Sequence, residues 1–322
     1  MLENKVIHTQ EKYDLREDAK EFPMMVVLSF VYICNAKCPN CPYNNSDIRS
    51  KYKDALIMPE HIFKRIADEC GEYGAYLRIS GGGEPMLHPQ AVDLMVYAKK
   101  KGAKIGLITN GSKFTEEILT TLIKAGVDAI EFSVDAMDEE TYNRVRPGLN
   151  WEKLNQNVKL AVGIRNQLHT DTRIIASVIN QQGVNVEAAE KYWSEIVDKV
   201  QIRKYLTWGY NKDESADPAP YLPPKEHVPC PWLFERFNID SRGDVTLCGE
   251  DIAFNEKFGN IMERSIKDIW RGPEFTYFRE SHLSGHGDDI PICKKCPDWQ
   301  YRSWQYNYWK VIQDAERRAK AE

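Results

Sequence analysis

Short apolar runs alternate with amphipathic segments between residues 23 and 210. The apolar runs predict buried parallel strands, and the segments between them repeat with a helical period. The six predicted strands are PMMVVLSFVY, AYLRIS, AKIGLIT, VDAIEFSV, TRIIASVI and KVQIRKYL. The five predicted helices span residues 59–70, 89–101, 115–125, 151–168 and 185–197. This order predicts an α/β fold, and we expect the strands to form a partial (β/α)6 TIM-like barrel.

The alternation stops near residue 211, where DPAPYLPPKEHVP predicts an extended linker. Beyond it, FNIDSRGDVTLC predicts a hairpin with its turn at Arg242-Gly243, and a short helix is predicted over 265–270. We therefore expect a small C-terminal domain after the barrel. The predicted divisions are an N-terminal segment 1–22, a barrel 23–210, a linker 211–229, a second domain 230–300 and an aromatic, helical tail 301–322.

The net charge of -5 and the pI near 5.9 give no general attraction for nucleic acid. The first twenty residues carry many charges, and no apolar run approaches the roughly 18 residues of a membrane span. We therefore expect a cytoplasmic protein with no nucleic-acid or membrane partner. Because that compartment is reducing, the eight cysteines are interpreted as metal ligands or buried thiols rather than disulfides.

Unusual segments follow the predicted strands, at the end of a parallel sheet where active-site residues lie. They are CNAKCPNC, GGGEP, TNG, SVDA and Asn180. In the first of them, Cys34, Cys38 and Cys41 share one short loop, so that three thiolates can meet at one point. A 4Fe-4S cluster normally takes four cysteines, and a set of three leaves one iron open to another ligand.

A second group is formed by Cys230, Cys248, Cys293 and Cys296, a set that suits four ligands around one metal site. A tetrahedral zinc ribbon is an alternative for this group. Zinc suits the first group less well, because structural zinc takes four ligands and the nearest histidine, His61, is about twenty residues away.

The first cysteine loop resembles that of the radical S-adenosylmethionine superfamily, whose signature is Cys-x3-Cys-x2-Cys after the first strand of a partial barrel. The segments GGEP, SVDA, RVRPG and IIASVIN are similar to the family's cosubstrate-binding segments. The contacts to S-adenosylmethionine that this resemblance implies are Gly82, Gly83, Glu84, Ser133, Asp135, Arg146 and Ser177. Relatives often have an aromatic residue before the third cysteine, where this chain has Asn40. Tyr43, or backbone groups alone, would then hold the adenine.

The resemblance implies a mechanism as well as a fold. The open iron would chelate S-adenosylmethionine, an electron from the cluster would cleave it, and the 5'-deoxyadenosyl radical would abstract hydrogen from a substrate. An external electron donor such as flavodoxin or ferredoxin is the implied partner.

The C-terminal region is similar to the SPASM or twitch domains of the same superfamily. The resemblance is carried by CPW, RFNIDSRGDVTLC, GNIMERSIKDIWRGPEFTYFRE and CKKC. Full SPASM domains usually have seven cysteines, whereas four follow the barrel here, so a twitch-type domain with one auxiliary 4Fe-4S cluster is implied. A cluster ligated entirely by protein is better suited to electron transfer than to substrate binding.

The resemblance extends to carbohydrate-tailoring members of the 2-deoxy-scyllo-inosamine dehydrogenase type. We therefore expect oxidation of a carbinol carbon in a sugar or aminocyclitol, with the auxiliary cluster as electron acceptor. The alternatives are epimerisation of a carbohydrate, modification of a peptide, and a non-enzymatic protein with two zinc sites. Cys70, in an apolar helix, is interpreted as a buried thiol, which leaves no uncommitted cysteine as a hydrogen donor for an epimerase.

The sequence does not identify a general base. Four charged residues near strand ends or the second cysteine group are either substrate ligands or solvated charges: Arg78, Arg203, Glu250 and Asp251. The aromatic residues of the tail are expected to pack against the barrel rather than to contact substrate; they are Tyr301, Trp304, Tyr308 and Trp309.

Overall fold

The predicted parallel sheet is present in the computed structural model, which describes residues 20–206, 230–252 and 254–296. Its first six strands are β1 (Met25–Leu28), β2 (Tyr76–Ile79), β3 (Lys104–Thr109), β4 (Ala129–Ser133), β5 (Arg173–Asn180) and β6 (Lys199–Lys204). Each strand pairs in parallel with the next one along the chain. The six predicted strands and the α/β fold class are therefore confirmed.

Six of the ten described helices begin at a side chain that caps an N–H group: Asn45, Thr115, Asp138, Asn150, Asn185 and Ser265. The helices are α1 (Ser46–Ser50), α2 (Glu60–Glu72), α3 (Ala91–Lys100), α4 (Glu116–Lys124), α5 (Glu139–Val145), α6 (Trp151–Leu168), α7 (Val186–Ser194), α8 (Ile266–Trp270), α9 (Pro273–Leu283) and α10 (Pro291–Lys295). Thr115 and Asn185, predicted as first helical residues, are the N-caps of α4 and α7. Among the described residues, no helix has the length and apolar character needed to cross a membrane.

The sequence-based prediction missed α1, α5, α9 and α10. Three of these helices are short, and an amphipathic pattern cannot establish itself over so few residues. In α9 the pair Gly272-Pro273 suggests a chain break, but Pro273 occupies the first turn, where its missing N–H costs nothing and its fixed φ suits a helix.

The two faces of the sheet have different surroundings. One face packs on the helices through buried residues such as Val26, Leu77 and Ile105, which lie in register on neighbouring strands. On the opposite face, a smaller apolar group brings together residues of four strands: Met25, Tyr76, Ala129 and Ile175. We call this second face the lumen face. Contact between side chains of β1, β2, β4 and β5 requires the sheet to curve, as in a partial barrel.

The C-terminal region extends the barrel sheet instead of forming a sheet of its own. Strand β7 (Arg236–Ile239) pairs in parallel with β1, and β8 (Asp244–Thr246) and β9 (Lys257–Asn260) continue from it in antiparallel pairs. The order is β6-β5-β4-β3-β2-β1-β7-β8-β9. Strand β1, which leads into the first cysteine loop, is therefore flanked by the barrel strand β2 on one side and by β7 of the C-terminal region on the other.

Candidate metal centres and active site

The first cysteine loop brings its three thiols together. The Cys41 N–H donates to the carbonyl of Cys38 at 3.1 Å, and the Ala36 N–H donates to the sulfur of Cys34 at 3.4 Å. Burial, together with the neighbouring Cys38 and Cys34, raises the pKa of Cys41 to about 11. Cys34 is exposed, whereas Cys38 is buried. Three close thiols, one of them facing solvent, fit a metal cluster that must admit another ligand.

Side chains from other strand ends fasten this loop. The Asn35 amide donates to the Ser112 hydroxyl at 2.9 Å and accepts from the Asn110 amide at 3.0 Å. On the other side, the Lys37 N–H donates to the Pro147 carbonyl at 3.0 Å. The TNG segment after β3 and the RPG segment after α5 thus hold the cysteine loop in place.

The glycines of the GGEP segment allow two stretches of backbone to approach each other. A Cβ atom at Gly82 would lie 2.2 Å from the carbonyl oxygen of Val31, and one at Gly83 would lie 2.0 Å from that of Ile33. Both distances are far below van der Waals contact, so only glycine fits at these positions. Packing against the chain that leads to Cys34 therefore explains both glycines; their predicted contact with S-adenosylmethionine stays a prediction.

The Glu84 carboxylate accepts hydrogen bonds from three groups of the protein itself. It accepts from the Thr109 hydroxyl at 2.6 Å, the Asn110 N–H at 2.7 Å and the Met86 N–H at 3.1 Å. Burial raises the pKa of Glu84, although these donors act in the opposite direction. The carboxylate joins the GGEP segment to the end of β3, which makes Glu84 a positioning residue in this structure.

An ion pair lies beside the first thiol group. Arg146 donates to Asp135 through Nε at 2.7 Å and through a second, short contact from Nη2, while its Nη1 lies 3.6 Å from the sulfur of Cys38. Asp135 also accepts from the Ile179 N–H at 2.6 Å and has a φ of 48°, a left-handed conformation that non-glycine residues seldom adopt. Asp135 therefore directs the guanidinium of Arg146 toward the candidate cluster.

Ser177 belongs to a polar group on the lumen face. Its hydroxyl accepts from Nε of Arg203 at 2.9 Å, and the same Nε donates to the Glu131 carboxylate at 2.9 Å. Glu131 has no exposed surface. Ser133 follows Glu131 by two residues on β4, so that it lies on the same face, and it is half-buried. Glu131 was not identified from the sequence. The feature that could have identified it is an acidic residue in the otherwise apolar strand AIEFS, at a position that faces the lumen.

Tyr43 lies in an aromatic group with Tyr32, Tyr52 and Phe254. Its ring centre is 5.7 Å from that of Tyr32, and burial raises its pKa well above the usual range. The Tyr52 hydroxyl donates to the Ile252 carbonyl at 2.6 Å. Tyr43 thus helps pack the cysteine loop against the C-terminal region, and its predicted contact with adenine stays a prediction.

The second group of cysteines surrounds one cavity. Cys230, Cys248, Cys293 and Cys296 all line it, together with the apolar side chains of Trp232, Leu233, Leu247 and Ile292. Burial raises the pKa of Cys293 strongly, and the other three thiols add to the effect. Within the described residues, neither thiol group, nor any other three histidine, cysteine, aspartate or glutamate side chains, forms a set that could hold a single metal ion; the four thiols of the second group lie around the walls of the cavity.

Two polar side chains share this cavity. His282 is buried and its Nδ1 accepts from the Cys230 N–H at 3.3 Å; Glu250 is also buried and lines the same space. Asp251 does not line it: its carboxylate accepts from the Thr246 hydroxyl at 2.6 Å and from backbone N–H groups of the following turn. Asp251 is fully buried and therefore is not a solvated charge, and its role as a substrate ligand stays a prediction. His282 was not identified from the sequence, because a lone histidine in a helix gives no signal.

The other predicted residues are placed as follows. Arg78 and Arg203 are lumen-face residues of β2 and β6. Cys70 is fully buried among the residues that pack helices on the sheet, as predicted. The aromatic tail after residue 296 lies outside the described residues.

Comparison with known proteins identifies both regions. The family described as "Radical SAM superfamily" matches residues 28–176, and the "Iron-sulfur cluster-binding domain" SPASM matches residues 230–297. Together these domains imply a 4Fe-4S cluster, S-adenosylmethionine and an auxiliary iron-sulfur cluster. Thiolate sulfurs are the ligands that such clusters take, so both donor sets described above fit them.

Individual relatives agree on the fold. The PqqA peptide cyclase of Xanthomonas oryzae pv. oryzae is 24% identical over 315 residues, which cover 86% of this chain and 82% of the relative. BtrN in complex with AdoMet and 2-DOIA superposes with a TM-score of 0.59 at 20% identity, over 86% of this chain and 94% of BtrN. SuiB of Streptococcus suis, bound to its precursor peptide SuiA, superposes with a TM-score of 0.65 at 16% identity, over 84% and 70% of the two chains. The chain therefore contains a radical SAM domain, matched over residues 28–176, followed by a SPASM iron-sulfur domain, matched over residues 230–297.

Proposed function

We propose that this radical SAM enzyme oxidises a carbinol carbon of a polar small molecule, a sugar or aminocyclitol, and passes the electron to its auxiliary cluster. The observation that carries the proposal is the contrast between its thiol groups. Three thiols lie on a loop with Cys34 exposed, and four half-buried thiols line a partly enclosed, largely apolar cavity. An open set suits cosubstrate binding, and a closed set suits electron transfer.

When bound, the first cluster and S-adenosylmethionine supply a carbon radical that abstracts hydrogen, and the auxiliary cluster supplies an electron acceptor. The protein's own part is to hold these groups. Glu84 fixes the GGEP segment on β3, Asp135 orients Arg146 beside Cys38, and Asn35 fastens the cysteine loop. We propose Cys34, Cys38 and Cys41 as ligands of the first cluster.

The proposed reaction balances. The carbinol carbon loses one hydrogen atom, and the remaining radical loses a proton and an electron to become a ketone. The electron released by the substrate equals the one used to cleave S-adenosylmethionine, so each turnover consumes one S-adenosylmethionine without net reductant. An external donor such as flavodoxin or ferredoxin is needed to prime the first cluster.

Two observations support a small polar substrate. BtrN, whose complex contains 2-DOIA, is covered over 94% of its length by this chain. The lumen face carries hydrophilic side chains at Ser133, Ser177 and Gln201, on neighbouring strands β4, β5 and β6. Such groups suit hydroxyl recognition.

Peptide modification is the second candidate. It is favoured by the PqqA peptide cyclase, which matches over 86% of this chain, and by the SuiB complex with a precursor peptide. Epimerisation has less support, because Cys70 lies between helix and sheet and cannot donate hydrogen into the lumen.

The test is anaerobic reconstitution with iron and sulfide, reduction, and incubation with S-adenosylmethionine and carbinol-deuterated polyols, aminocyclitols or synthetic peptides. The proposal expects deuterium in 5'-deoxyadenosine and one ketone per S-adenosylmethionine with a polyol or aminocyclitol. Deuterium transfer with return of an inverted alcohol would establish epimerisation, and turnover of peptides alone would establish the second candidate.

A further inference from the structure

The lumen face is strongly basic, although the chain as a whole has a net charge of -5. The strand registers place six basic residues on this face of β2 to β7: Arg78, Lys104, Arg173, Lys199, Arg203 and Arg236. Among the lumen-face positions of β1 to β7, Glu131 is the one acidic residue. Arg236 also pairs with Glu235 at 3.4 Å, and the remaining excess of positive charge on one concave face attracts anions and raises their local concentration.

The centre of this face is a group formed by Arg78, Glu131 and Arg203, from alternate strands β2, β4 and β6. Arg203 donates to one oxygen of Glu131, Oε1, through both Nε and Nη2. Burial acts to raise the pKa of Glu131, but the charges of Arg203 and Arg78 lower it overall. The group therefore contains one carboxylate and two guanidinium ions, with a charge of +1.

Two buried polar atoms of lumen-face residues have no hydrogen-bond partner among the described residues. One is Oε2 of Glu131, and the other is Nδ2 of Asn238. Asn238 lies in register with Val27 on β1, which lies in register with Arg78 on β2. Because neighbouring strands are about 4.8 Å apart, Asn238 and Arg78 face the lumen at the same level of the sheet, with backbones about 10 Å apart across β1. Buried polar atoms without partners are costly unless a ligand or water satisfies them.

We propose that the lumen binds a substrate bearing an anionic oxygen group, a carboxylate or phosphate, beside its hydroxyls. Arg78, Arg203 and the Asn238 amide hold the anion, and Oε2 of Glu131 accepts from a hydroxyl. Guanidinium groups suit this role because their planar donors match carboxylate and phosphate oxygens. This inference narrows the proposed function from polar small molecules to acidic ones.

The carboxylate of S-adenosylmethionine is a competing anion. Arg146, beside Cys38, is the residue expected to meet it, and Arg146 is held by Asp135 rather than by Glu131. The lumen group is a separate ion pair, but its Arg203 also donates to Ser177, a predicted contact of S-adenosylmethionine, so the affinity for S-adenosylmethionine is measured beside the anion affinity.

Binding of anions to the reconstituted protein, saturated with S-adenosylmethionine, tests the proposal. Calorimetric titrations with inorganic phosphate and with acetate separate the two kinds of anion. In Glu131→Gln, Arg203 loses its internal counter-ion, and anion affinity should rise several-fold. In Glu131→Gln/Arg203→Gln, which keeps the net charge of the wild type, affinity should fall about tenfold or more, the worth of a charged hydrogen bond.

A matched control is Arg271→Gln, which removes a guanidinium from the exposed ion pair with Glu21 and should leave anion affinity unchanged. A merely structural role for Glu131 would not produce tighter binding in Glu131→Gln. Equal anion affinity in wild type and both lumen variants would overturn the proposal. The proposal would also be overturned if the affinity of the double variant for S-adenosylmethionine fell by the same factor as its anion affinity. The guanidinium of Arg203 would then bind the cosubstrate.

Formation of 5'-deoxyadenosine without substrate is measured on the same samples. If the wild type formed no 5'-deoxyadenosine, the proposed radical function would be refuted, while the anion titrations would be unchanged. Failure of the proposed function and failure of the anion site can therefore be told apart.

Discussion

The two thiol groups differ in how the protein surrounds them. The first lies on a loop at the ends of barrel strands, with Cys34 exposed and the charged pair Arg146–Asp135 beside it. The second lines a partly enclosed cavity whose other walls are mainly apolar, with Trp232 and Leu233 among them. Solvent access and charge near a metal site control what it can bind, whereas enclosure favours electron transfer. The same ligand type is thus placed in two environments suited to two tasks.

The largest effects on activity are expected when one thiol is removed from each group. Cys34→Ala should abolish cleavage of S-adenosylmethionine, with a loss above the roughly 10–100-fold cost of an outer-shell change at a metal site. Cys293→Ala should retain cleavage and lose oxidation of substrate. Iron and sulfide analysis with 5'-deoxyadenosine assays would check both. If Cys293→Ala also failed to cleave while keeping its first cluster, the division of tasks would be wrong.

The lumen ion pair gives the next largest effect, this time on stability. Arg203→Ala leaves the Glu131 carboxylate buried without its main partner and should lower the free energy of unfolding by about 3 kcal/mol. This is the lower end of the range for broken buried pairs, because the Arg203 side chain is 27% exposed. Adding Glu131→Gln should recover most of the loss. Urea denaturation of both variants is the measurement, and a double variant as unstable as Arg203→Ala would contradict this explanation.

The fit between the GGEP segment and the cysteine loop can be probed with one methyl group. In Gly83→Ala the new Cβ would meet the Ile33 carbonyl oxygen, which belongs to the backbone and cannot turn away. We expect a loss of about 2 kcal/mol and less iron at the first site. Gly163→Ala in α6 is the control: its Cβ meets nothing within 4 Å, and stability should rise by up to about 1 kcal/mol. Similar behaviour of the two variants would show that the loop has room to adapt.

A smaller, pH-dependent effect is expected at His88, next to the same segment. Its Nδ1 accepts from the Gln90 N–H at 3.0 Å and its Nε2 is 2.8 Å from the Met58 carbonyl, so the ring is neutral with its proton on Nε2. Burial lowers the pKa of His88. The unfolded chain therefore takes up a proton first, and the stabilisation, complete above about pH 6.5, is lost as pH falls toward the folded-state pKa.

The matched variant is His88→Gln, which keeps an amide donor near Met58 and does not titrate. The difference in unfolding free energy between wild type and variant should shrink on acidification, by no more than about 1.4 kcal/mol per pH unit for one proton. A difference that stays constant from pH 7 to pH 5 would contradict a neutral, buried ring.

Local patterns in the sequence predicted the strands, the long helices and both thiol groups, because apolar periodicity and ligand spacing are local properties. The pairing of β7 with β1 was not predicted, since contacts between segments about 200 residues apart leave no local pattern. The same limit applies to Glu84 and Ser177. Motif matching marks them as cosubstrate contacts, whereas their observed partners, Thr109 and Arg203, come from other strands.

The most direct test of this division of tasks between the two thiol groups is whether S-adenosylmethionine binds at the first cluster alone. Electron paramagnetic resonance spectra of the reduced, reconstituted variants would be recorded with and without the cosubstrate. If the two groups divide their tasks in this way, S-adenosylmethionine changes the spectrum of Cys293→Ala, which keeps the first cluster, and leaves the spectrum of Cys34→Ala unchanged. A change in Cys34→Ala, or a protein that takes up zinc and no sulfide, would contradict it.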